Sequence, residues 1–277
     1  MKWKGLTATD VVVLIGVAVL LTGTLTPALN GSRQTAIRLV CEANLTAIGR
    51  AMKAWADDNE GCYPRAGGPG VCWSNTGKLY DFDGTTEAIA FSDGKATVSS
   101  SMFLLIKYGM LTPRHVVCKG DAGAIAYKLA YTKRTWVSDI RLVWDFGDAG
   151  ANLWIPPGGF CSYAYHMPYV DAQGVSYAIK DICSARSPVC ADRSPHLDKN
   201  AVEPEVGDNS AAHLGKGQNV LYHDGSVSFE KDPKVGIEGD NIYTYGGDPN
   251  GTAPAANGDG APVGLKDAFL VMDKNYF

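Results

Sequence analysis

Hydrophobic positions divide this chain into an apolar stretch, an amphipathic stretch and a long mixed region. From Leu6 to Leu29 the only charged residue is Asp10, and Val11–Leu21 is an unbroken uncharged run. Beyond it, Ile37, Cys41, Leu45, Ile48, Met52 and Trp55 recur at steps of three and four. That spacing puts them on one face of a helix. No turn signal stronger than Asn30-Gly31-Ser32 separates the two stretches. The pattern predicts one long helix over 6–60, kinked near Pro27, lipid-embedded over 6–29 and packed on a head over 30–60. At 1.5 Å per residue, such a helix spans roughly 80 Å.

The remaining 61–277 form a head whose pattern is β-rich. Phe160–Val170, with Tyr163, Tyr165 and Tyr169 at period two, reads as a strand. Val189-Cys190-Ala191 reads as a short one, and Val116-Val117-Cys118 as a strand end. Gln218–Tyr222 and Ser226–Phe229 flank His223-Asp224-Gly225, which predicts a β-hairpin with Asp224 and Gly225 in the turn. Ser100–Tyr108 reads as a short helix, capped by a serine and ended at Gly109. Glu87–Phe91 reads as a strand between the turn dipeptides Asp83-Gly84 and Asp93-Gly94. Tyr127–Trp144 fits one helix or two strands, and Leu265–Val271 a closing strand or helical turn. The fold class expected is α+β: a long hydrophobic N-terminal helix on an antiparallel sheet with long, disulfide-tied loops.

Three readings compete for the N-terminus. A cleavable secretory signal would use Lys2 and Lys4 as its basic end, but no small-x-small site follows the apolar core. A plain signal anchor leaves unexplained an acid, Asp10, at the entry to lipid, where a carboxylate is costly. The third is a prepilin-type signal. A basic leader ends at Gly5, an acid stands fifth after it (Asp10), and a helix breaker twenty-second (Pro27). This arrangement resembles the N-terminus of type IV pilins and type II secretion pseudopilins, with Asp10 where that family prefers Glu and Leu6 where it usually has Phe or Met. The resemblance implies cleavage between Gly5 and Leu6 by a prepilin peptidase. It also implies a role for Asp10 in assembly, its carboxylate meeting the new Leu6 amine of a neighbouring subunit.

The C-terminal part carries a second likeness. Asn209-Ser210-Ala-Ala-His213, Gly217-Gln218-Asn219-Val220-Leu221 and Asp224-Gly225-Ser-Val227-Ser-Phe229 are similar to the end signature of a large prepilin-type family abundant in planctomycetes. Cys41 with Asn44-Leu45 in the helix, and Cys118 after a short apolar helix, continue it.

Net charge is −4 with no basic block, so nucleic acid is not an expected partner. An exported head places the seven cysteines in an oxidising compartment. Local bridges Cys62–Cys72 and Cys183–Cys190 are the first choice, each closing a short loop worth roughly 2–3 kcal/mol. Cys118–Cys161 is the third, leaving Cys41 free. The alternative is Cys41–Cys118, joining helix to head. With no C-x-x-C pair, zinc is the weaker use of these cysteines. His213, His223, His196, Asp192 and Asp224 lie in one stretch. They read as a turn with satisfied polar residues, His213 bonding the Asp224 turn, rather than as a metal or hydrolase site. Cofactors are expected to be none, calcium being the best remaining candidate. Pseudopilins that this chain resembles can bind it, and the loops Asp81–Glu87 and Asp248–Asp259 offer oxygen ligands.

The function expected is a non-enzymatic filament subunit, held in the inner membrane before assembly and then periplasmic or extracellular. Its partners would be further copies of itself, the prepilin peptidase and the assembly machinery. Two alternatives are a monomeric membrane-anchored surface protein whose head binds a glycan or protein, and an exported metal-dependent hydrolase.

Overall fold

A computed structural model describes residues 7–68, 72–73, 95–131, 137–146, 157–169, 179–181, 184–197, 207–247, 251–252 and 260–273, together with 171, 173, 177 and 205. The first element is α1 (Ala8–Asp58), 51 residues long and about 75 Å by its rise. Thr7 starts it with a capping box. Its hydroxyl accepts from the Asp10 amide at 3.3 Å, and the Asp10 carboxylate accepts from the Thr7 amide at 2.9 Å. It ends where Glu60 and Gly61 turn to positive φ and the Gly61 amide closes on Ala56 O at 2.9 Å. The helix runs through Pro27 without a break in its assignment.

The two halves of α1 differ in what surrounds them. Val12, Leu14, Ile15, Val19, Leu20 and Leu25 are all more than half exposed. Cys41, Leu45, Ile48 and Met52 are fully buried, and Ile37 and Trp55 pack partly against the same core. The face expected from the three-and-four spacing is the face that is buried. Among the described residues, α1 is the one helix long and apolar enough to cross a membrane.

α2 (Val98–Lys107) packs beside α1. It begins two residues earlier than expected, because Thr97 rather than a serine caps it, accepting from Ser100 N at 3.1 Å. Asp273, near the C-terminus, closes the same helix end by accepting from the amides of Val98 (3.2 Å) and Ser99 (2.6 Å).

Two short strands, β1 (Cys72–Trp73) and β2 (Lys95–Ala96), pair in parallel. The main sheet contains β3 (Tyr163–His166), β4 (Pro188–Asp192), β5 (Gln218–Tyr222), β6 (Val227–Glu230) and β7 (Leu270–Val271). Its order is β6-β5-β4-β3-β7, with every neighbouring pair antiparallel. The fold is therefore α+β, as the sequence predicts. Val116–Cys118 and Tyr127–Trp144 depart from expectation: their described residues form turns and short 3-10 segments rather than strands or a helix.

α1 lies across β4, β5 and β6. The alternation of side chains along the strands then produces two cores. Tyr163, Tyr165 and Leu221 face the helices, while Ala164, Ala191, Val220 and Tyr222 face Ile242, Tyr243 and Leu270 behind the sheet. Helix and sheet approach closely at Gly49, where a Cβ would stand 2.8 Å from Leu221 Cδ1. The long tyrosines tie the layers together by their hydroxyls. Tyr165 donates to Pro64 O at 2.9 Å, and Tyr163 accepts from Asn44 Nδ2 of α1 at 3.2 Å.

One ion pair is wholly inside the head. Arg193 Nε donates to Asp121 Oδ2 at 2.7 Å, and its Nη2 donates to the carbonyls of Gly158 and Cys161 at 2.7 and 2.8 Å. Those charge-assisted bonds offset part of the cost of burying the pair.

Candidate functional site

Two places bear on function: the exposed N-terminal half of α1 and the point where α1 enters the head. Between Asp10 and Arg33 lie 22 residues without a charge. As helix they cover roughly 33 Å, the thickness of a bilayer's hydrocarbon. Their three threonine hydroxyls are satisfied within the helix. Thr22 donates to Ala18 O at 2.9 Å, Thr24 to Leu20 O at 3.0 Å and Thr26 to Thr22 O at 2.7 Å. Such back-bonding keeps the threonine hydroxyls met in apolar surroundings. Asp10 is exposed and, among the described residues, held by Thr7, through its amide and, at 2.7 Å, its hydroxyl. The capping box was legible as Thr7 and Asp10 three residues apart. Reading Asp10 only as an assembly charge missed it. Gly5 and Leu6, the expected cleavage pair, lie outside the described residues. Pro27 lies within α1.

At the junction, Cys41 of α1 and Cys118 of the loop after α2 form a disulfide, with Cα atoms 5.3 Å apart and a sequence separation of 77. This is the alternative pairing named above, and it corrects the first choice. Cys161 is a buried free thiol, so Cys118–Cys161 does not form. Cys62 and Cys190 are also free, so neither local bridge with Cys72 or Cys183 is present. The side chain of Cys72, and all of Cys183, lie outside the described residues. Cys190 points into the core from β4, where burial raises its thiol well above the ordinary range. Burial likewise pushes Cys161 up to about 12.

The disulfide is crowded by polar groups. His213, in the 3-10 turn Ala211–His213 before β5, stands with Nε2 3.8 Å from Cys118 Sγ and 3.0 Å from Asp192 Oδ2 at the end of β4. Asn219 of β5 donates to that same Oδ2 from its backbone amide (2.6 Å) and from Nδ2 (3.0 Å). One oxygen thus carries three contacts, while Asp192 Oδ1 is buried without a hydrogen-bond partner. One ligand-type atom from each of Cys41, Cys118, Asp192 and His213 lies within 4.8 Å of the others, all four residues buried.

His213 therefore does not bond the hairpin turn, as the sequence suggested. Asp224 makes that turn itself, its Oδ1 accepting from Ser226 N at 2.8 Å and Ser226 Oγ at 2.6 Å; those bonds hold its carboxyl below the usual range. Gly225 carries φ +88° there, and Lys53 Nζ of α1 donates to Asp224 O at 2.6 Å, docking the turn on the helix. Of the five polar residues singled out in this stretch, the fold joins His213 with Asp192. His223 and Asp224 sit at the other end of β5. Of the calcium loops, 81–87 and all of 248–259 except Gly251 and Thr252 lie outside the described residues.

A surface cavity of about 560 Å³ opens beside the junction, lined by Asn30, Arg33, Arg38, His213, Lys216 and Phe229 among others. The Arg38 guanidinium sits 4.6 Å over the Phe229 ring, and the His213 ring meets the same phenyl edge-on at 5.9 Å. No family model matches this chain, and no curated protein or solved structure matches it either.

Proposed function

We propose that this chain is a structural, non-enzymatic subunit of a pilus-like or pseudopilus-like filament. α1 holds it in the inner membrane first and then packs against the helices of other copies. The observation that carries this reading is the division of one continuous helix. Its second half is built into the head, while its first half, among the described residues, leaves its apolar side chains exposed all round. A prepilin-type peptidase and a filament assembly machinery are the partners that such a subunit requires.

Asp10 supplies the register in this reading. Among the described residues its carboxylate is bonded by Thr7; in a processed filament it would receive the Leu6 amine of an adjacent copy. The test is electron microscopy of surface fractions from cells producing the full chain, a chain lacking residues 7–29, and Asp10→Asn. Regular filaments are expected from the full chain and none from the deletion. A sharp fall in yield is expected from Asp10→Asn, whose amide oxygen can still accept from Thr7. Filaments from the deleted chain would overturn the helical core, and normal yield from Asp10→Asn would overturn the charge pair.

A further inference from the structure

The junction holds more ligand chemistry than a structural disulfide needs. A buried bridge between helix and loop is complete with its two sulfurs and apolar neighbours. Here an imidazole, a carboxylate and a carboxamide converge on it. The carboxylate keeps one oxygen, Asp192 Oδ1, buried and unpartnered at 0% exposure. Asn219 Oδ1 is buried and unpartnered beside it. Such atoms cost free energy unless some state of the molecule uses them.

We infer that the reduced form of this junction is a zinc site, with Cys41 Sγ, Cys118 Sγ, His213 Nε2 and Asp192 as its four ligands. The donor types select the ion. Two thiolates, an imidazole and one carboxylate suit Zn²⁺ and do not suit calcium or magnesium, which take oxygen. The geometry is close to the one required. Metal–ligand bonds of roughly 2.0–2.3 Å put tetrahedral ligands about 3.3–3.7 Å apart. Cys118 Sγ to His213 Nε2 is 3.8 Å and His213 Nε2 to Asp192 Oδ2 is 3.0 Å. All four ligand atoms lie within 4.8 Å of one another, and the bonded sulfur–sulfur edge has to open.

The surroundings support the thiolates. The Gly120 amide donates to Cys118 Sγ at 3.3 Å, which favours a charged sulfur. Gly120 can sit there because it has no side chain: a Cβ would lie 1.9 Å from Ala212 O, in the turn that carries His213. Asn219 fixes the Asp192 carboxylate by two bonds to Oδ2, and its Nδ2 stands 3.2 Å from His213 Nε2. The cavity lined by His213 gives an ion a way in from solvent.

Zinc and the disulfide exclude one another. When the bridged chain meets a dithiol, the S–S bond breaks and two electrons and two protons pass to Cys41 and Cys118, the dithiol becoming a disulfide. Binding Zn²⁺ then releases both thiol protons. In the other direction, the two thiolates give two electrons to a protein disulfide, which takes up two protons as it becomes a dithiol, and the cation leaves. The junction is joined in both states, by a covalent bond in one and by a metal in the other. This inference does not depend on filament formation.

The test uses the full chain in detergent, oxidised or reduced with a phosphine, freed of metal and titrated with Co²⁺ and then Zn²⁺. The reduced chain is expected to bind one Co²⁺, with thiolate-to-cobalt charge-transfer bands and the visible bands of a tetrahedral ion, displaced by one Zn²⁺. The oxidised chain is expected to bind none. Cys41→Ser and His213→Asn should each weaken zinc at least tenfold in the reduced chain. A reduced, folded chain without these bands overturns the inference, as does equal binding by the oxidised chain. So does a folded His213→Asn with undiminished affinity. The oxidised–reduced contrast in the unaltered chain decides the matter even if both variants misfold.

Discussion

The two halves of α1 share a backbone and almost nothing else. Residues 8–29 keep their helix by internal bonding and by apolar side chains exposed on every face. Residues 37–56 keep it by one buried stripe against a sheet. A helix apolar all round needs an apolar medium or partner, whereas a striped one needs a single surface. The difference teaches that one element can be specified for two solvents by changing only the angular spread of its hydrophobic positions.

The strongest way to break this comparison is to remove the same atoms from each half. Leu45→Ala should cost the head about 2–5 kcal/mol, read as a lowered unfolding midpoint, because it empties a fully buried position. Leu20→Ala should leave that midpoint unchanged, since Leu20 is 70% exposed. Equal losses would mean that the exposed half contributes to the head's core.

A smaller effect comes from filling space instead. Gly49→Ala places a methyl 2.8 Å from Leu221 Cδ1; overpacking of about 1–3 kcal/mol, set against the roughly 1 kcal/mol that alanine gains in a helix, leaves a cost of about 0–2 kcal/mol in the same unfolding measurement. Gly23 has nothing within 4 Å. Gly23→Ala should leave the head alone and raise the helicity of the isolated segment slightly, by the usual preference for alanine. If Gly23→Ala abolishes filaments while sparing the head, neighbouring helices approach there.

The smallest expected effect is a pH dependence confined to the head. Burial, then the charge of Asp273, pushes the Asp145 carboxyl up to about 7, and burial raises Asp273 to about 6. Both lie above the ordinary value of 3.8, so the folded chain holds protons that the unfolded chain releases. The stability this contributes is full below pH 3.8 and lost as pH rises through 6 to 7. A thermal midpoint that falls between these limits is expected. Asp145→Asn should flatten that slope, and the helicity of residues 8–29 should not follow it. A midpoint that rises with pH would contradict this account.

What was legible follows from period and what was not from distance. Positions 41, 45, 48 and 52 announce a helix face, and the hairpin 218–230 announces itself by Asp224-Gly225 between two apolar runs. Cysteine pairing could not be read the same way. Loop spacing measures only the chain-entropy cost of closure, which favours near neighbours such as Cys62 and Cys72. What brings Cys41 to Cys118 is the packing of α2 beside α1. His213 illustrates the same limit. The five residues of β5 carry the chain roughly 17 Å, so the histidine that precedes the strand cannot reach the turn that follows it. Its true neighbour, Asp192, arrives by the pairing of β4 with β5.

The Cys41–Cys118 bridge has a mechanical consequence. A tensile load applied along the N-terminal half of α1 enters the head at Cys41 and leaves it, covalently, at Cys118. The span between them, a sequence separation of 77, is shunted. Under traction it can be sheared from the sheet but cannot be drawn out, which withholds roughly 250–280 Å of contour length from any extension. The covalent load path thus runs from the shaft of the helix into the segment that leads to β3, while the rest of α1 and all of α2 lie in a slack parallel branch. A chain pulled by its ends would pay out from residue 119 onward, and reduction of one bond would lengthen its reach.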